Sequence, residues 1–425
     1  MHRRASSCVD SPVKSLLAAS FVALAACRGS AQPTTPRPPE PTSVSTDLTP
    51  GKDLSEAQPA DGATSGDPGV RPGTGGGRTY DLEEIKLVVS TDAGGEATID
   101  AVSALALLDQ AQAALKASRP AEAIALYRRL AAEFPTSRMA PAALYDIGVL
   151  YERQGDVVNA VAAYRDLVTR FPTGAESLDA HLRIAGLLAE KRDWKGADTT
   201  LAEILTRADL AHAERLEAQA RRGYVQLELG DIALAETTLR AAVATWTRAQ
   251  RIDDRYYIAM AHYYLAELRH RDFAAVKLRS ADDLLKADLV KKEALAAAAY
   301  DEWREALELQ DPYWALASGY QMSQIFFELW QTAVTSPFPD GLGANARAFY
   351  TTDVHDRVRR HLQTALDGHQ MNVRLAGAYG VTNAWSEASK TRALQAAGIL
   401  AREARGEMVA TVPELPPTAQ TGPVK

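Results

Sequence analysis

Between Leu144 and Pro172 apolar residues recur at helical spacing: Leu144, Ile147 and Tyr151, then Ala160, Tyr164 and Leu167. The polar run Gln154-Gly155-Asp156 separates the two groups, and Pro172 closes the second. This predicts two short helices joined by a tight turn. Small residues at Gly148 and Ala160 let the pair approach closely, while Tyr151, Tyr164 and Leu167 fill the remaining space.

The same order of small and large positions returns along the chain. Ala123, Tyr127, Leu130 and Pro135 repeat the second helix one unit earlier, with Ala111 at the small position of the first helix. Ile184, Ala185, Leu188, Asp193, Ala197, Leu201 and Ile204 follow one unit later, and Gly223, Gly230, Ala235, Leu239 and Ala242 follow after that. The alanines Ala123, Ala160, Ala197 and Ala235 are spaced 37, 37 and 38 residues apart. "RRLAAEFPTS" from Arg128 and "RDLVTRFPTG" from Arg165 are the same phrase at that period. A fixed period of this size marks stacked structural repeats.

Past residue 250 the pattern blurs. Ile258–Phe273 reads as a first helix with a worn turn, Ala296–Pro312 as a second helix, and Tyr313–Val334 as an unusually aromatic helix. A loop at 336–346 and two helices, Val354–Leu375 and Asn383–Arg405, complete the pattern. The aromatics Tyr313, Trp314, Tyr320, Phe326, Phe327 and Trp330 suit core or cap packing better than a partner patch.

The small–aromatic–glycine–alanine–aromatic–proline order of 104–245 resembles the tetratricopeptide repeat. The extra residues around each "FPT" elbow resemble the repeats of periplasmic lipoproteins of the barrel-assembly and cell-division-coordinator type. The resemblance implies an all-α fold, a right-handed α-solenoid of helix-turn-helix repeats over 101–250, with divergent helical repeats and a cap over 251–408. It also implies a concave groove lined by first helices, where Tyr145, Val149, Glu152, Arg153, Gly186, Glu190, Tyr224 and Glu228 are the candidate partner-binding residues.

The N-terminal 80 residues read differently. A polar, net-positive start leads into the apolar run Ser15–Ala26, of signal-peptide length and too short to span a bilayer. Leu24-Ala25-Ala26-Cys27 resembles the lipobox of bacterial lipoproteins, which implies cleavage after residue 26 and a lipid on Cys27. Arg28 after the cysteine implies, by the same resemblance, the outer membrane, facing the periplasm. An ordinary signal peptide with Cys27 incidental is the alternative. Residues 27–80 hold nine of the 21 prolines and close on "GTGGG", so they read as a tether spanning about 40 Å as a flexible coil. Within 81–100, Leu82–Thr91 is the only strand-like run and is expected as an isolated extended piece, while 409–425 reads as a tail.

Composition narrows the chemistry. The net charge is −7 with no block of Lys and Arg, which argues against nucleic acid as a partner. Of the two cysteines, Cys8 lies in the signal, leaving only the lipidation candidate. The remaining histidines show no metal-ligand spacing and are expected as solvated helix residues, and the charge pairs in "WREALE" and "ERLEAQARR" as solvated faces. No phosphate-binding loop, nucleophile elbow or HExxH occurs. The expectation is a non-enzymatic, cofactor-free, lipid-anchored scaffold that binds envelope proteins or peptides. A peptidoglycan-associated structural lipoprotein is the alternative, and an enzyme with an unrecognised C-terminal site the remote one.

Overall fold

The computed structural model describes residues 70–72, 78–80, 85–91, 97–249 and 251–409. Cys27, the signal segment, most of the tether and residues 410–425 lie outside the described residues. The described chain is all-α apart from two small antiparallel hairpins, and it falls into two compact units that divide after Ile204.

The first unit opens with β1 (Val70–Pro72) paired to β2 (Arg78–Tyr80), inside the stretch read as tether. Next comes β3 (Ile85–Thr91), which is not isolated as expected. It pairs with β4 (Ala97–Ser103), Leu87 opposite Ala101. "ATIDAVS" is short and alanine-rich, so its strand character depends on this partner. Lys86 donates to the Glu133 carbonyl and lies 5.1 Å from the ring centroid of Phe134, which ties the hairpin to the end of α2.

The helices of this unit are α1 (Ala104–Lys116), α2 (Pro120–Glu133), α3 (Ala140–Arg153), α4 (Val157–Arg170), α5 (Ala175–Glu190) and α6 (Trp194–Leu205). Consecutive helices from α1 to α5 pack on one another, the stacking of an α-solenoid. Each first-to-second-helix turn is built alike. Ser118, Gly155 and Arg192 take left-handed backbone (φ 56°, 73° and 59°), and Gly230 (φ 84°) does so in the second unit. The amide of the next residue reaches back five positions, as from Asp156 to the Tyr151 carbonyl at 2.9 Å. That next residue is Arg119, Asp156, Asp193 or Asp231. Asp156 and Asp193 accept first-turn amides at 3.1 and 3.0 Å, starting the second helix.

The register positions lie at the helix contacts. Ala123, Ala160, Ala197 and Ala235 are each 0% exposed, and Tyr127, Tyr164, Leu201 and Leu239 are buried. Large side chains of one helix meet a flat row of alanine and glycine on its neighbour, which allows close crossing without voids.

The second unit keeps one such pair, α7 (His212–Leu229) and α8 (Ile232–Arg248), then changes character. α9 (Tyr256–Ala275) packs against α7, α8, α10 (Asp282–Glu308) and α11 (Pro312–Val334). It therefore buries all sides: Ile258, Ala259, Met260 and Ala261 are at most 1% exposed. α12 (Ala344–Tyr379), 36 residues long, packs on α11 and α13 (Ala384–Glu403). Trp314 is the centre of the aromatic cluster, with Tyr263, Tyr256 and Tyr264 at ring-centroid distances of 5.1, 5.5 and 5.7 Å. Trp314, Tyr320, Phe327 and Trp330 are buried, so these rings are core. Val409, placed in the tail by sequence, packs into the same unit's core beside Phe327 and Trp330.

Five of the described histidines overturn the expectation of solvated side chains, while His212 stays exposed. His355 is buried with Glu403 at 2.7 Å, His262 meets Glu302 at 2.9 Å, and His270 meets Glu328 at 2.6 Å. His361 and His369 are buried as well. The cause is packing: α9 and α12 are covered on several sides, so positions that would face solvent in a simple helix pair face another helix. "ERLEAQARR" departs in the same way. Glu217 and Arg221 form a half-buried pair at 2.7 Å, and both bond Tyr257 of α9. In "WREALE", Arg304 and its carboxylates stay exposed.

Candidate partner-binding face

First helices carry two kinds of residue. One row is spent on the second helix of the pair, and the other faces away from that contact. On α3 the spent row is Leu144, Ile147 and Gly148, all buried. Tyr145, Val149 and Glu152 lie between, half-buried, and Arg153 is exposed. On α5, Gly186 is half-buried and Glu190 is exposed.

Arg183 of α5, which sequence did not single out, joins the two helices. Its Nε donates to the Tyr145 hydroxyl and its Nη1 to Glu152 Oε2, both at 2.7 Å. The guanidinium carbon lies 5.6 Å from the Tyr145 ring centroid. A stacked, forked arginine of this kind contributes ~0.5–1 kcal/mol where solvent still reaches it. The Tyr145 ring in turn leans on Tyr164 of α4, centroids 5.6 Å apart. Burial first, then the Glu152 carboxylate, pushes the Tyr164 hydroxyl far above its ordinary pKa, so it stays a neutral phenol.

Asp146 occupies on α3 the position that Arg183 holds on α5, one repeat later. Burial lifts its carboxyl to about 6, against the lowering effects of the Tyr127 hydroxyl and Arg153. A carboxylate held against its preference in a surface of this kind is a feature of binding sites as well as catalytic ones. The signal that could have exposed both residues is the repeat alignment itself. One register position changes from acid to base while its neighbours stay apolar.

The structure brings Tyr145 and Glu152 together through Arg183, with Val149 packed beside them on the core. Arg153 is exposed and is not joined to that cluster; its charge acts on Asp146. Tyr224 and Glu228 lie on α7 in the second unit. Tyr224 is only 8% exposed, and its ring lies 4.8 Å from Tyr264, so α9 covers it and it does not line an open face. Glu228 is half-buried. Among the described residues no group of three His, Cys, Asp or Glu is placed to hold a metal ion. None of their helices is long and apolar enough to cross a membrane. The α3–α5 face offers aromatic area, one fixed cation and carboxylates.

Residues 108–175 match the tetratricopeptide repeat family. No curated protein matches the chain. Among solved structures, MamA (41-end) from Desulfovibrio magneticus RS-1 is 17% identical, with a TM-score of 0.32, covering 49% of this chain and 97% of that one. A tetratricopeptide repeat protein from Parabacteroides merdae is 12% identical, with a TM-score of 0.33, covering 69% and 98%. The C-terminal part of a TPR repeat-containing protein from Cytophaga hutchinsonii is 11% identical, with a TM-score of 0.36, covering 68% and 94%. With residues 108–175 matched and their register carried by buried alanines, this chain contains tetratricopeptide repeats.

Proposed function

We propose that the protein is a lipid-anchored, periplasm-facing scaffold that holds a partner protein or peptide on the first-helix face of its repeats. The observation that carries the binding role is the Tyr145–Arg183–Glu152 cluster. It is built across two repeats, with Arg183 exposed and Tyr145 and Glu152 half-buried. Repeat stacks present such residues from successive units, so a segment lying across them is read several side chains at a time. The anchor rests on the Ser15–Ala26 apolar run and the lipobox-like Leu24-Ala25-Ala26-Cys27. The Pro-rich stretch that follows supplies reach between the membrane and the repeats.

Two experiments test the two halves separately. Affinity isolation from detergent-solubilised native membranes should recover a defined partner with the wild-type chain and lose it with Val149→Glu combined with Arg183→Glu. Equal recovery by both proteins would remove the face from consideration. Cys27→Ser should abolish labelling by radioactive fatty acid and release the protein from the membrane fraction. Undiminished labelling would remove the anchor.

A further inference from the structure

A second recognition site lies in the other unit, at the start of α7. Leu210, His212, Arg215, Thr245 and Arg248 line a cleft of about 340 Å³. That is within the size range of small-molecule sites, roughly 300–1,000 Å³. Two guanidinium groups and an imidazole converge on it. Many arginines of this chain meet carboxylates, as Arg183, Arg269, Arg279 and Arg357 do, while others, such as Arg255, Arg271 and Arg347, bond backbone carbonyls. Arg215 and Arg248 have no carboxylate partner among the described residues. Arg215 donates to the carbonyls of Arg207 at 3.1 Å and Leu205 at 3.5 Å, which fixes its guanidinium in place. Arg248 uses only Nε, on the Ala244 carbonyl at 3.0 Å, and leaves its terminal nitrogens free.

The nearby acids are engaged. Asp209 is held by Arg207 at 2.8 Å, and Glu214 accepts the Ala211 amide at 2.7 Å. His212 is the first residue of α7, so the positive end of that helix lies at the same rim. Thr245 is buried and bonded to Gln219, so the wall it forms is rigid.

We propose that this cleft binds a phosphate monoester, its phosphate seated between Arg215, Arg248 and His212 and its organic part against Leu210. Two cations, one of them with its terminal fork free, and a helix start suit a dianion with three equivalent oxygens better than a carboxylate. The volume leaves space for a substituent. The site takes a ligand independently of the α3–α5 face.

The test is a titration of the purified full chain by isothermal calorimetry at constant ionic strength, with phenyl phosphate, inorganic phosphate and benzoate as probes. Phenyl phosphate should bind saturably, inorganic phosphate more weakly and benzoate least. Arg248→Gln, a change at an exposed side chain, should weaken phenyl phosphate about tenfold or more, the effect of losing one charge-assisted fork. His212→Gln should weaken it less, and circular dichroism should show both variants folded. No saturable binding, an Arg248→Gln affinity equal to wild type, or benzoate binding as tightly as phenyl phosphate would each overturn the proposal.

Discussion

The ring of Tyr164 occupies the space that a side chain on Gly148 would need: a Cβ there would stand 2.5 Å from the Tyr164 Cζ. The second unit repeats the relationship, since a Cβ on Gly223 would stand 2.5 Å from Leu239. Both helix pairs are thus set at a spacing that only glycine permits. Gly148→Ala should cost about 1–3 kcal/mol through overpacking. The loss should be smaller in a Tyr164→Leu background, because repeat three already accommodates Ala185 with Leu201. Urea unfolding of the four members of this mutant cycle measures it. An unchanged cost in the Tyr164→Leu background would contradict the packing.

The four left-handed turn residues make a second prediction. Glycine fills the position in repeats two and four, but Ser118 and Arg192 fill it in one and three. A residue with a Cβ is strained there by roughly 1 kcal/mol or more. Arg192→Gly, at an exposed site, should therefore raise stability by about 0.5–1 kcal/mol despite the added chain entropy. Gly155→Ala should lower it by a similar amount. Shifts of the unfolding midpoint in the same direction for both variants would contradict the assignment.

Acid should destabilise the second unit. Burial, with Arg360 and Arg392 respectively, lowers His361 to about 4 and His369 to about 3. Between these values and the ordinary histidine range near 6.5, the unfolded chain binds protons that the folded one refuses. Stability therefore falls as pH falls through that window, by up to ~1.4 kcal/mol per pH unit for each histidine. Glu328 works the same way, since its bond from His270 outweighs burial and holds it low, and its contribution is lost on protonation. His270 works oppositely: burial lowers it, but Glu328 raises it further, so its contribution is full in acid and lost as pH rises. Unfolding free energy measured from pH 7 to 4 should fall, and His369→Leu should flatten the slope. An unaltered slope would sink the assignment.

Asp146 predicts a trade between stability and binding. Its folded pKa, about 6, lies above the ordinary carboxyl value, so the ionised form is penalised in the fold. Stability contributed at this position falls as pH rises from about 4 to 6. Asp146→Asn should therefore stabilise the first unit by about 1–3 kcal/mol at pH 7, with the gain vanishing near pH 4. If partner binding uses that carboxylate, the same variant should bind more weakly.

How much of this was legible depends on how local each signal is. The repeat pairs were readable because Ala123, Ala160, Ala197 and Ala235 recur in step, and only close helix contact requires small residues at such intervals. The buried state of the aromatic helix followed from its lack of a polar face. The His–Glu pairs were not readable. His270 and Glu328 are far apart in sequence, and nothing along α9 alone announces that α11 covers it. Tyr224 was misplaced for the same reason: its repeat position says groove, while Tyr264 on a later helix closes over it. Arg183 was missed because its partners, Tyr145 and Glu152, belong to the preceding repeat, and charge spacing within one helix cannot reveal a contact between two.

Site-specific photocrosslinking in the native cell separates the first-helix face from the rest of the repeat surface. A photoreactive side chain at Val149 should give one discrete adduct, while the same group at Val158 of α4, which is 80% exposed, should give none. Adducts of equal yield from both positions, or from Val158 alone, would contradict partner recognition by the α3–α5 face.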